Sequence, residues 1–187
     1  MTREKCATAG MNRINEAELL ISYRQGERDF SDQNLQGAYL FEAHLVRVKL
    51  AHSQLALAYL PYADLSQSDL EGVNLQQAEM SNAQLYQVSL ERANLQRAKL
   101  SRADLRYANL QGADLRGADL QGADLRYANL TGANLTGADL SRTHLFMANF
   151  ANANVQDCNL FRAKNLNLTG AWVNDSTVHP DGHRQLD

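Results

Sequence analysis

Apolar side chains recur at every fifth residue along most of the chain. Each residue from Phe30 to Leu160 whose number is divisible by five is apolar, which makes 27 consecutive positions. A column of small residues, mostly alanine, lies two residues before them, so the unit reads Ala-Asp/Asn-Leu-x-x, as in 113–117. Residues two apart lie on one face of a strand, whereas five residues advance an α-helix by about 500° and form no stripe. The chain must therefore turn once per repeat, which predicts a solenoid of short strands with both columns inside.

The Ala-Asp/Asn-Leu-x-x series resembles the pentapeptide-repeat family. The stretch 23–30, Tyr-Arg-Gln-Gly-Glu-Arg-Asp-Phe, resembles the segment that leads into the repeats of its cyanobacterial members. The resemblance implies an all-β protein, a right-handed quadrilateral β-helix with four pentapeptides in each twenty-residue coil. We expect it to span residues 28–162 as a rod of just under seven coils, roughly 30 Å long at ~4.8 Å per coil.

The segment before the repeats predicts a short N-terminal capping helix over residues 14–25, within an N-terminal tail and cap of residues 1–27. Asn15 followed by Glu18 resembles a capping box, and Gly26 suits the end of a helix. The face expected to meet the first coil consists of Ala17, Leu20 and Ile21.

The repeat register fails at the other end of the chain. Position 165 is Asn, and the pattern returns three residues late at Leu168. We therefore expect residues 163–187 to form an irregular last coil followed by a polar tail from Asn174. Trp172 and Val173 near this end leave open a homodimer formed through an end coil.

The composition excludes several classes of protein. The chain has 18 Lys and Arg against 21 Asp and Glu, a formal net charge of −3, which argues against direct nucleic-acid binding. No apolar run reaches the roughly 18 residues of a membrane span, two cysteines are too few for a disulfide framework, and the first residues lack a secretory signal. We therefore expect a soluble, cytoplasmic protein with no membrane association.

Residues that could carry chemistry are few. His44 and His144 would share a column but lie about 24 Å apart, and His179 and His183 are separated by Pro180 in a polar tail, a context that does not favour a metal site. The Asp column is expected to be structural, because each repeat needs an outward polar residue that can hydrogen-bond the turn. No phosphate loop or nucleophile motif occurs. We expect no catalytic, cofactor or metal site, and no enzyme.

The outward aromatic residues are not evenly distributed among the four sides of the coil. The third side holds the repeats centred on Leu40 and every twentieth residue after it, and the fourth side those centred on Leu45. These two sides carry every outward aromatic of the repeats and, with two arginines, form the candidate partner surface: Tyr39, Phe41, Tyr59, Tyr62, Tyr86, Arg106, Tyr107, Arg126, Tyr127, Phe146 and Phe161. Tyr and Arg are typical of protein interfaces, although stacking between coils would also explain them.

Five basic residues within about one coil form a basic girdle: Arg92, Arg97, Lys99, Arg102 and Arg106. The girdle is compatible with an acidic partner or with solvated charges on an outer face.

These observations favour a non-enzymatic protein-interaction or regulatory scaffold that binds a protein partner. The alternative comes from the resemblance, since some members of the family mimic DNA and occupy the DNA site of gyrase, which requires a continuous negative surface. Residues 28–162 hold 14 acidic and 12 basic residues, a net charge of only −2. Asp114 and Asp124 also precede Arg116 and Arg126 by two residues, close enough to be masked.

Overall fold

The computed structural model describes residues 12–184, with side chains from Ile14 onward. Its regular elements are β1 (Asn12–Arg13), α1 (Glu16–Arg24) and β2 (Gln33–Asn34), and β1 pairs in parallel with β2. Cys6, which belongs to the N-terminal tail expected over residues 1–27, lies outside the described residues. No helix of the described chain has the length and apolar character needed to span a bilayer.

Parallel pairing between residues twenty apart organises the repeats into a β-helix-type solenoid. The polar residue before each central position pairs with its counterpart one coil later, from Asp29 with Lys49 to His144 with Lys164. Each repeat also closes a turn, as where the Ala38 N–H donates to the Leu35 carbonyl at 3.0 Å. Four such turns complete one twenty-residue coil.

The interior consists of the two columns that the sequence pattern predicts. All 27 central residues from Phe30 to Leu160 are buried, and so is the small-residue column from Ala38 to Ala163. Polar members of that column donate hydrogen bonds to the backbone of the preceding coil. The Ser53 hydroxyl donates to the Phe30 carbonyl at 3.0 Å, and that of Ser68 to the Leu45 carbonyl at 3.1 Å. The core is thus one continuous stack.

The third residue of each turn has a left-handed backbone. Gly37, with φ +71°, and Arg97, with φ +55°, both occupy this position. A positive φ at the third of four residues is the signature of a type II turn, and glycine adopts it without steric cost. This requirement explains why glycines accumulate there.

Gly72 is expected to tolerate a side chain less well than other turn glycines. A Cβ at position 72 would lie 2.6 Å from the His52 Nδ1, whereas a Cβ at Gly112 would meet nothing closer than the Arg92 Cγ at 3.7 Å. Both glycines have positive φ, so Gly112→Ala should cost about 1 kcal/mol of unfolding free energy, and Gly72→Ala about 1 kcal/mol more because the exposed His52 ring must leave its rotamer. Urea denaturation measures both values.

The reference for this prediction is the double variant His52→Ala/Gly72→Ala. This variant lacks the imidazole, so replacing Gly72 in the His52→Ala background should lower the unfolding free energy only as much as Gly112→Ala does in the wild type. An equal loss for Gly72→Ala with and without His52 would contradict the steric explanation.

The capping helix is present, but it buries a different residue from the one expected. Asn15 caps α1 in a reciprocal capping box with Glu18, with both hydrogen bonds at 2.9 Å. Leu19 is fully buried and Leu20 packs against the core, whereas Ile21 is 53% exposed and Ala17 is also exposed, so the predicted face was right for Leu20 and wrong for the other two. Residues 16, 19, 20 and 23 repeat with the same helical spacing as 17, 20, 21 and 24, so spacing alone could not separate the two faces.

The last coil is shorter than the others and extends further along the chain than expected. Trp172 pairs with Asn154, eighteen residues away, and Val178 pairs with Asn159, nineteen away. The tail predicted to begin at Asn174 is therefore still part of the solenoid at Val178. Trp172 points outward and is 63% exposed.

Candidate protein-interaction surface

The structure divides the nine candidate aromatics into two clusters and one separate ring. The first cluster lies near α1 on the third side and comprises Tyr39, Phe41, Tyr59 and Tyr62. The second lies further along the rod on the fourth side and comprises Tyr86, Tyr107, Tyr127 and Phe146. Phe161 has no partner ring in the described chain, and the Arg162 guanidinium lies 4.9 Å from its ring centroid. The candidate residues therefore form two separate surfaces.

The first cluster borders a cavity beside the capping helix. Tyr39 and Tyr59 stack with ring centroids 5.2 Å apart, and the edge of one ring meets the face of the other between Phe41 and Tyr62. The cavity has a volume of about 410 Å³ and is lined by Tyr39 and Phe41 and by the α1 residue Tyr23.

The second cluster and the two arginines beside it form a continuous strip, which we call the tyrosine strip: Tyr86, Arg106, Tyr107, Arg126, Tyr127 and Phe146. Tyr107 and Tyr127 stack with centroids 4.7 Å apart and planes 3° from parallel, as their position one coil apart predicts. Tyr86 meets Tyr107 at 76°, and Phe146 meets Tyr127 at 86°. Tyr107 and Tyr127 each cover one face of the other's ring, yet Tyr107 is 47% exposed and Tyr127 is 43% exposed. Their ring edges form a rigid exposed row.

The arginines of the tyrosine strip are held in place by carboxylates. The Arg126 Nε and Nη2 donate to Asp124 at 2.9 and 2.6 Å, and Arg106 forms the same bidentate pair with Asp104. Burial tends to raise the pKa of Asp124, but the hydrogen bonds from Arg126 outweigh it and leave the pKa below its ordinary value. These ion pairs fix the guanidinium groups and neutralise the strip.

Asp114 and Arg116 repeat this arrangement on the second side, the one centred on Leu35 and every twentieth residue after it. Hydrogen bonds from Arg116 hold the pKa of the Asp114 carboxyl below its usual range. The masking expected of Asp114 and Asp124 is thus confirmed, and the pair formed by Asp104 and Arg106 adds a third case.

The basic girdle encircles the rod instead of forming one patch. Arg92, Arg97 and Arg102 occupy successive turns, at three different corners of one coil. Arg92 pairs with two glutamates, and Lys99 donates to Glu79 at 2.7 Å. Arg97 and Arg102 form no ion pair within residues 12–184. The girdle therefore offers no single surface to an acidic partner.

The Asp/Asn column has the structural role that the sequence predicts. These side chains accept hydrogen bonds from the backbone N–H two residues later, as from Gln121 to Asp119 at 2.9 Å. Burial raises the pKa of the Cys158 thiol to about 12, so it is not a reactive thiolate. Within the described part of the chain, no three His, Cys, Asp or Glu residues lie together as a metal site would require.

Sequence reasoning missed the end of the fourth side, next to the break in register. A cavity of about 500 Å³ lies there, lined by Phe146, Met147, Ala148, Asn149, Asn165, Leu166 and Asn167. Met147 is 68% exposed. Its position in a left-handed turn normally occupied by small or polar residues was the available signal.

The family follows from a comparison with known sequence families. The profile described as pentapeptide repeats in eight copies matches residues 38–77, 53–92, 83–122 and 123–160, together well over half of the chain. The chain belongs to the pentapeptide-repeat family. No curated protein sequence matches this pentapeptide-repeat protein.

Solved structures similar to this pentapeptide-repeat protein include the following three. HetL from the cyanobacterium Nostoc sp. strain PCC 7120, involved in heterocyst differentiation regulation, is 26% identical over 92% of this chain and 100% of its own, with a TM-score of 0.42. Rfr23 from the cyanobacterium Cyanothece 51142 is 36% identical over 58% of this chain and 65% of its own, with a TM-score of 0.44. A trypsin-treated variant of QnrB1, a plasmid-mediated fluoroquinolone resistance protein, is 16% identical over 80% of this chain and 86% of its own, with a TM-score of 0.35.

Proposed function

We propose that this protein is a non-enzymatic interaction scaffold whose tyrosine strip binds a protein partner. The observation that carries the proposal is the row of Tyr107, Tyr127 and Phe146, each more than two-fifths exposed although it packs against its neighbour. Stacking between coils accounts for the contacts within the row, but not for so much exposed aromatic surface on one side.

The physical properties of the strip suit a binding surface. Each tyrosine is held by its neighbours and each arginine by an aspartate, so little side-chain entropy remains to be lost on binding. Tyrosine and arginine are also the residue types that most often dominate binding energy at protein interfaces. A rigid, neutral aromatic row supports recognition of a protein surface.

The alternative function, mimicry of DNA toward gyrase, has less support. A DNA-like surface needs unmasked carboxylates along the rod, and Asp104, Asp114 and Asp124 are each paired with an arginine. The acidic residues also alternate with the basic girdle around the middle coils.

Two finer features of the architecture belong to the same proposal. We assign right-handed winding to the solenoid, as the resemblance implies and as the general handedness of parallel strand connections supports. We also assign the repeats to residues 28–162, the N-terminal cap to 1–27, and the last coil and tail to 163–187.

The proposal is tested by affinity capture from a lysate of the host cell. Tagged wild-type protein is compared with Tyr107→Ser/Tyr127→Ser, which removes the centre of the strip. At least one captured protein is expected to fall by about tenfold or more, because central aromatic residues often carry 2 kcal/mol or more of binding energy. Quantitative mass spectrometry measures the change.

The matched control is Tyr39→Ser/Tyr59→Ser, which removes the other stacked tyrosine pair. This control should still capture the partner protein that Tyr107→Ser/Tyr127→Ser no longer captures. Circular dichroism should show that both variants are folded. Capture of the same proteins by both variants and wild type would remove the strip from consideration.

A further inference from the structure

We infer that the end of the fourth side binds an acidic peptide segment of the partner through an apolar and cationic patch. This inference rests on the proposed function and specifies the chemistry of the partner. We call the surface the C-terminal patch, and it consists of Arg142, Phe146, Met147, Arg162, Lys164 and Leu166.

The apolar part of the patch continues the tyrosine strip. Phe146 meets the ring of Tyr127 at a centroid distance of 5.6 Å, and Met147 follows it in the next turn position. Leu166 lies across the cavity of about 500 Å³ from them, where the chain leaves the repeat register. Exposed Met and Phe around a cavity of this size can receive one large apolar side chain.

The cationic part lies at the opposite edge of the same side. Arg142 and Arg162 occupy equivalent turn positions one coil apart, and Lys164 follows Arg162 by two residues. All three are exposed. Among residues 12–184 none of them forms an ion pair, in contrast to the arginines of the tyrosine strip.

Nearby carboxylates are engaged elsewhere. Asp139 accepts from the Ser141 N–H and the Asn159 amide, and Asp157 accepts from the Asn174 amide. Asp181 accepts from a backbone N–H in its own turn. These donors are neutral and leave each carboxylate charged, but none of the three carboxylates lies within ion-pair distance of Arg142, Arg162 or Lys164, so the cations remain available to the carboxylates of a partner.

This combination favours an acidic peptide over a nucleic acid. Single-stranded nucleic acids bind by stacking successive bases on several aromatic rings, and Phe146 is the one aromatic residue of the patch. Methionine and leucine around a cavity accept an apolar side chain, while three cations beside it attract carboxylates. The occupant is thus an acidic segment that carries a large apolar residue.

The test is selection from a phage-displayed library of random peptides of ~12 residues, long enough to cross two coils. Enriched peptides are then measured by fluorescence anisotropy. They are expected to carry net negative charge and a large apolar residue. Arg142→Glu and Met147→Ser should each weaken binding by about tenfold or more. Met147 is an exposed side chain outside the aromatic stack, so its replacement leaves the stack intact.

The matched control is Arg97→Glu, which reverses another unpaired arginine in an equivalent left-handed turn at a different corner. Its binding should stay within about twofold of wild type, since rim charges far from a site change affinity little. The inference is overturned if no peptide is enriched, if enriched peptides lack acidic bias, or if the control weakens binding equally.

Other occupants would also overturn it. Binding of a single-stranded oligonucleotide that Arg142→Glu abolishes would indicate a nucleic acid. A wild-type dimer in sedimentation that Met147→Ser dissociates would indicate a second copy. If lysate capture still depends on Tyr107 and Tyr127 in any of these cases, the proposed scaffold function stands and only the acidic partner fails.

Discussion

Leu120→Ala is expected to lower the free energy of unfolding by about 3 kcal/mol or more, a large part of the stability of a typical domain. Leu120 is fully buried between the equivalent leucines of the coils on either side. The coils cannot close the resulting cavity, because each is fixed by ladder bonds such as the one from the Leu120 N–H to the Asp139 carbonyl at 2.8 Å. Urea denaturation followed by far-ultraviolet circular dichroism measures the loss.

The control for this prediction is the next residue in the same repeat. Gln121 is exposed and points outward, so Gln121→Ala should change the unfolding free energy by no more than about 0.5 kcal/mol. Similar losses at positions 120 and 121 would mean that the inward column has been assigned wrongly.

Leu19→Asp is expected to detach the capping helix and to make the protein self-associate. Leu19 is the one fully buried residue of α1, and a carboxylate in its place would cost several kcal/mol of unfolding free energy. Without the helix, the first coil exposes apolar surface at an open end of the solenoid, where another chain can add. Size-exclusion chromatography with light scattering should show assemblies larger than those of the wild type.

Ile21→Asp provides the matched comparison, with the same helix and the same new charge. Ile21 is 53% exposed, so this variant should elute as the wild type does and lose little stability. If Ile21→Asp self-associates and Leu19→Asp does not, the helix packs through the face first expected from the sequence.

The solenoid could be predicted from the sequence because a single rule governs nearly every residue. A leucine at each fifth position has only one physical arrangement that buries all of them, and the structure shows that arrangement from Phe30 to Leu160. The stack of Tyr107 on Tyr127 needed the family resemblance as well, because the period alone does not give the number of repeats per coil and the resemblance implies a coil of twenty residues.

What the sequence did not reveal depends on neighbours outside the repeat rule. The choice of Leu19 over Ile21 is made by the shape of the first coil, which helical periodicity does not contain. The cavity near Met147 exists because the chain leaves its register after Lys164, and the shortened coil that follows has no repeat to predict it. The ion pairs of Arg92 with Glu71 and Glu91 likewise depend on rotamers that spacing leaves open.

The division of the aromatics into two surfaces has a consequence for binding. The first cluster lies beside α1 and the tyrosine strip lies further along the rod on the neighbouring side. A single small partner therefore contacts one of them, and variants of the two stacked tyrosine pairs separate their contributions.

The most direct test of the account is the distance between spin labels at positions 47 and 147. Arg47 and Met147 are exposed turn residues in one column, so labels on cysteines placed there should be separated by five coils, about 24 Å. Cys6→Ser removes one native thiol, and the buried Cys158, with its pKa raised to about 12, should not react. A single peak near this distance in pulsed electron paramagnetic resonance is predicted. A peak well beyond ~40 Å would contradict the twenty-residue coil on which both proposed surfaces depend.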